Sequence, residues 1–131
     1  MAVGTVTVTQ RRVGNIRQVI AAIVASSTDG SVPATVLPAF EGQLLALGTA
    51  PGVTNPTANY DITLLDAYSY DVLEGVGANR SASAAQKVAI VYSGTGTHPP
   101  VDDGDALTLT LANNSVNSAL ITITLYYALG G

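Results

Sequence analysis

The 131 residues fit one domain, residues 1–131, long enough to bury a sizeable core. They are 47% hydrophobic and only 11% charged, with a net charge of −4 and no cysteine. That balance argues against a nucleic-acid binder, which needs clustered lysine and arginine, and it excludes a disulfide framework, a thiol nucleophile and a zinc–thiolate site.

The first predicted element covers residues 3–13. In Thr5-Val6-Thr7-Val8-Thr9 the period of two puts Val6 and Val8 on one face and the threonines on the other. Gly14-Asn15 is a turn signal. Residues 16–25 carry Ile16, Val19, Ile20 and Ile23 at helical spacing, yet the run is β-branched and apolar on both sides. The short turn before it and its β-rich neighbours predict a strand buried on two faces. Residues 26–33 are a loop, with Asp29-Gly30 as its tight turn.

Residues 44–49 are a strand closed by Ala50-Pro51-Gly52, and Asn55-Pro56 makes residues 52–59 a loop. Residues 60–66 alternate again, and Ala67-Tyr68-Ser69 turns into Tyr70-Asp71-Val72-Leu73. One helical turn is expected over residues 81–85, then a strand over 86–92. Residues 93–105, with three glycines and two prolines, form the longest irregular stretch. Two strands follow, 106–112 and 119–128, joined through Asn113-Asn114-Ser115. About eight short strands between turn signals predict an all-β fold, a single-domain β-sandwich or small barrel with long loops.

Candidate chemistry is sparse. The one histidine, His98, sits in Thr97-His98-Pro99-Pro100, a loop with no sign of holding a general base in place. Asp102-Asp103-Gly104-Asp105 is the densest carboxylate cluster, but it lacks the ligand ladder of a calcium loop and reads as a turn. Asp61, Asp66, Asp71 and Glu74 form a second acidic group that hairpin geometry scatters over different faces. Gly75-Val76-Gly77 and Gly94-Thr95-Gly96 look like phosphate-loop fragments, yet neither precedes a helix or the Walker lysine. No enzymatic activity, cofactor or metal is expected.

An average soluble protein is roughly 25% charged, so the shortage here predicts that part of the surface is covered by protein. A homo-oligomer or a larger assembly would do this; a monomer coated in Thr, Ser and Asn is the alternative. Two groups are candidate interface residues. Arg11, Arg12 and Arg17 on adjacent strands suit a partner's carboxylates, or else are simply solvated. In the last strand Ile121, Ile123, Leu125 and Tyr127 are core, while Leu120, Thr122, Thr124 and Tyr126 are too apolar for a wet surface. Either a loop of the same chain or a partner covers them. No signal peptide or membrane-span pattern is visible near Met1, which predicts synthesis in a cytoplasm.

The stretch Asn59-Tyr60-Asp61-Ile62-Thr63-Leu64-Leu65-Asp66, then Asp71-Val72-Leu73 and Gly75-Val76-Gly77-Ala78-Asn79-Arg80, resembles small virion proteins of tailed bacteriophages. Those chains open with Gly-Thr-Val-Thr-Val and end on a Thr-rich strand, as here. The resemblance is closest to capsid decoration, or cement, proteins. It implies a β-rich homotrimer on the virion surface whose partner is the major capsid protein, with no nucleic acid or membrane partner. Other structural parts of the virion (tail, head-completion or fibre-base subunits) and a carbohydrate- or surface-binding β-sandwich are the alternatives.

Overall fold

Alternating β-branched segments become strands here because each can bury one face against a second sheet. The computed structural model describes residues 4–37, 42–66, 68–90, 100–101 and 107–128. Its strands are β1 (Thr5–Val13), β2 (Ile16–Val24), β3 (Thr35–Val36), β4 (Gly42–Pro51), β5 (Asp61–Leu65), β6 (Gln86–Ala89), β7 (Pro100–Val101), β8 (Thr108–Ala112) and β9 (Leu120–Ala128). A large antiparallel sheet runs β1-β2-β9-β4-β6, with β7 also pairing β4; a smaller sheet runs β3-β8-β5. The protein is all-β, two sheets forming a small sandwich and no closed barrel.

The core lies between the sheets. Val19, Ala21 and Ile23 of β2, Leu44 and Leu47 of β4, and Ile121, Ile123, Leu125 and Tyr127 of β9 face Ile62, Leu64, Leu109 and Leu111 of the small sheet. All four β9 residues assigned to the core from their alternation are buried. Gly14 starts the β1–β2 turn at φ 61°, the left-handed value that a type II′ hairpin needs at its first central position. Leu45 is an inserted residue where the β4–β9 register shifts between Leu44 and Ala46.

Three expectations are corrected. β2 is buried on one face only: Ile16 and Val24 on the other are 37% and 42% exposed, because β2 sits inside one sheet with no described element above it. Residues 81–85 form bends and no helix; the Ser81 hydroxyl accepts from the Ser83 and Ala84 amides at 3.2 and 3.0 Å, a local bond that competes with a helical ladder. Within the stretch read as irregular, Pro100–Val101 pairs with Gly42 and Gln43.

The turns are held by carboxylates. Asp71 accepts from the Leu64, Leu73 and Gly75 amides, all at 3.1 Å. Asp66 accepts from Tyr68 and Tyr70 amides at 2.8 and 3.1 Å, and Asp61 from the Asn79 amide at 2.9 Å and from the Asn113 side chain. The Tyr70 hydroxyl donates to Glu74. Asp29 accepts from the Ser31 hydroxyl and amide, which holds its carboxyl below the ordinary 3.8. Of the second acidic group, Asp61, Asp66 and Asp71 are thus employed on backbone amides and Glu74 on the Tyr70 hydroxyl.

Tyr60 is fully buried between the sheets. Burial pushes its hydroxyl above the usual 10.0, while the Thr49 hydroxyl and the Arg80 charge pull the other way. A phenol whose folded value exceeds its unfolded one stabilises the fold below pH 10, and loses that contribution as pH rises through the raised value. Tyr60→Phe is thus expected to move the alkaline unfolding midpoint upward, read by circular dichroism. An unchanged midpoint would place the alkaline weakness elsewhere.

Candidate binding face

The side of the large sheet turned away from the core is built by strand alternation alone. Cross-strand register places Thr5, Thr7, Thr9 and Arg11 of β1 beside Val24, Ala22, Ile20 and Gln18 of β2. Those β2 residues stand against Leu120, Thr122, Thr124 and Tyr126 of β9. Beyond β9 come Ala50, Gly48 and Ala46 of β4, then Lys87 and Ala89 of β6. No other described strand lies over this face.

Its charge pattern is unusual. The strands β1, β2, β4, β6 and β9 contain none of the nine acidic residues, yet hold Arg11, Arg12, Arg17 and Lys87, four of the five basic ones. Only Arg11 and Lys87 point to the outer face, one at each margin, roughly 19 Å apart at the usual strand spacing. Between them the centre carries Gln18, Ile20, Ala22, Thr122, Thr124 and Tyr126, all uncharged. A centre depleted of charge with cations at the rim is the layout of a protein interface.

A depression lies on this face. Gly48 has no side chain, and a cleft of about 290 Å³ opens there, lined by Gly48, Ala50, Lys87, Thr122, Thr124 and Tyr126. The Lys87 ammonium lies 4.4 Å from the Tyr126 ring centroid, a cation–π contact that holds the ring against the sheet.

The structure thus brings together Leu120, Thr122, Thr124 and Tyr126, with Arg11 at the edge of the same face. Arg12 and Arg17 lie apart from this group. They face each other across the β1–β2 hairpin on the opposite, inward side, and Arg12 Nε donates to the Gly14 carbonyl at 3.2 Å. Adjacent residues in a strand point to opposite faces, so Arg11 and Arg12 cannot share one. Sequence reasoning misses Lys87, Gly48 and the outer residues of β2. The signal for β2 is its apolar second face, which reads equally well as burial within the chain.

Among the described residues no group of three His, Asp or Glu is placed to hold a metal ion. His98, the Asp102-Asp103-Gly104-Asp105 cluster and Gly94-Thr95-Gly96 lie outside the described residues. Comparison with protein-family models, curated proteins and solved structures returns no match.

Proposed function

We propose that this chain is a structural virion subunit, a decoration or cement protein that binds the outside of a capsid lattice and bridges capsid proteins. The outer face of the large sheet carries the reading: it is wide, free of carboxylates among the described residues, uncharged at its centre and basic at two margins. The resemblance of residues 59–80 and of the Thr-rich terminal strands to phage virion proteins supplies the partner, the major capsid protein.

Burying such a face yields roughly 25 cal/mol per Å² of apolar area, before the cost of fixing two bodies together. A cement subunit needs little from each contact, because repetition over a lattice multiplies weak affinities. Arg11 and Lys87 at the margins meet carboxylates on the capsid, and a like-charged partner is rejected.

Virions that lack the protein test this. Added wild-type protein is expected to bind them and to raise the temperature at which heads rupture. Ala22→Glu sets a carboxylate at the exposed centre of the face, and is expected to abolish binding with a stability change within about 0.5 kcal/mol. Failure of the wild-type protein to bind such virions would sink the proposal.

A further inference from the structure

We propose that β1 is a homotypic pairing edge, on which a second copy of this chain adds its own β1 antiparallel and joins two large sheets into one. β1 pairs with β2 along all nine residues without a register shift, and no described strand pairs with its other side. The two-residue turn makes Val13 and Ile16 the hydrogen-bonded closing pair. The odd-numbered residues of β1 therefore bond to β2, and Val6, Val8, Gln10 and Arg12 aim their N–H and C=O groups outward. A long regular edge without proline, lysine or bulge is a template for another strand, and Arg12, near its end, is its one inward-pointing charge.

The same chain does cover one edge of its other sheet. Along β5 the segment 71–80 supplies the missing partners: Val72 N–H donates to Leu64 O, Ile62 N–H to Gly77 O and Arg80 N–H to Tyr60 O, each at 2.8 Å. β1 has no such cover among the described residues. On its core-facing side Val6 and Val8 pack against the core yet stay only half-buried.

The strand is complementary to itself. A two-fold axis at Val8 sets Val8 opposite Val8, Val6 opposite Gln10, Thr7 opposite Thr9 and Thr5 opposite Arg11. Every outward-pointing even residue then exchanges bonds with another even residue, and the threonines stay on the outer face. The two Arg11 side chains lie six residues apart, about 20 Å, beyond the ~8 Å screening length of physiological salt. An axis at Thr9 would instead set Arg12 against Val6. The half-exposed valines of both copies come together under the seam, and the two outer faces become coplanar. The pairing is two-fold, where the phage resemblance implies a trimer, and it holds whatever the outer face docks on.

Sedimentation equilibrium of the full chain is expected to give twice the 13.3 kDa chain mass. Gln10→Pro deletes an outward N–H in each copy and spares the β1–β2 bonds, so it is expected to give a folded monomer. The cysteine-free chain also allows a register test that needs no loss of pairing. Oxidised Val8→Cys is expected to form a covalent dimer, since paired Cα atoms about 5.5 Å apart suit a disulfide, whereas Thr5→Cys is not. A wild-type monomer at the highest soluble concentration, a trimer, or equal cross-linking at positions 5 and 8 would each overturn the pairing.

Discussion

Leu125→Ala is expected to lower the free energy of unfolding by about 2–5 kcal/mol, and Tyr126→Ala, one residue further on, by no more than about 1 kcal/mol. Leu125 is 1% exposed on the inner face of β9, the central strand of the large sheet, and meets Val19 and Leu47 as its neighbours in register. Truncating it leaves a cavity whose walls belong to three paired strands and cannot close in. Domains of this kind hold about 5–15 kcal/mol in total, so the loss is a large share. Tyr126 instead stands on the outer face, half-buried, with Lys87 over its ring. Its removal forfeits that contact and exposes Gly48, but opens nothing inside. Urea denaturation of both variants measures the contrast, and virion binding inverts it: the Tyr126 variant is expected to lose binding, the Leu125 variant to keep it while folded. Losses in the reverse order would mean that β9 is slipped by one residue, since such a slip exchanges the two faces.

The period of two carried the fold because each strand buries one side only. Ile121-Thr122-Ile123-Thr124-Leu125 announces both its core face and its outer face, and the glycine and asparagine turns bound it. What periodicity cannot convey is which strands are neighbours. β9 lies between β2 and β4 although 95 and more residues separate it from β2 in the chain. This arrangement decides that Ile20, Ala22 and Val24 extend the face of Leu120, Thr122 and Tyr126 instead of being buried beneath a second layer. The β2 strand misleads for the same reason: apolar residues on both sides say that both are covered, not by what. Arg11, Arg12 and Arg17 look like one group from their spacing, and strand alternation divides them. Lys87 gives no signal, as its partner Tyr126 is 39 residues away and joined to it only through β4.

Charge adds a feature that composition hides. A net charge of −4 hides an asymmetry, since four basic residues lie on the large-sheet strands and the described carboxylates, Asp29, Asp61, Asp66, Asp71 and Glu74, lie off them. Several of those carboxylates accept backbone amides in the turns around β5. Their removal from the flat face and their work in the turns have one consequence together: among the described residues, the broad surface without negative charge is also the one without a cover.

Gly77→Ala is expected to cost about 3 kcal/mol or more, against about 1 kcal/mol for Gly75→Ala two residues earlier. The two glycines serve different needs. Gly75 has φ 81°, and a methyl placed on it would meet nothing within 4 Å, so alanine there incurs only the left-handed backbone penalty. At Gly77 a Cβ would stand 2.1 Å from the Ile62 carbonyl oxygen and 2.9 Å from its carbon. Those atoms belong to the backbone of β5 and cannot rotate aside. The loop must lift, and with it goes the 2.8 Å bond from Ile62 N–H to Gly77 O, beside the bonds at Val72 and Arg80 that close the same edge. Urea denaturation gives the ordering, and hydrogen exchange at the Ile62 amide gives the mechanism: faster exchange in Gly77→Ala, and little change in Gly75→Ala. If the two variants lose the same stability and leave that amide equally protected, segment 71–80 is not seated on β5. The contrast drawn between its covered edge and the open edge of β1 would then lose its basis.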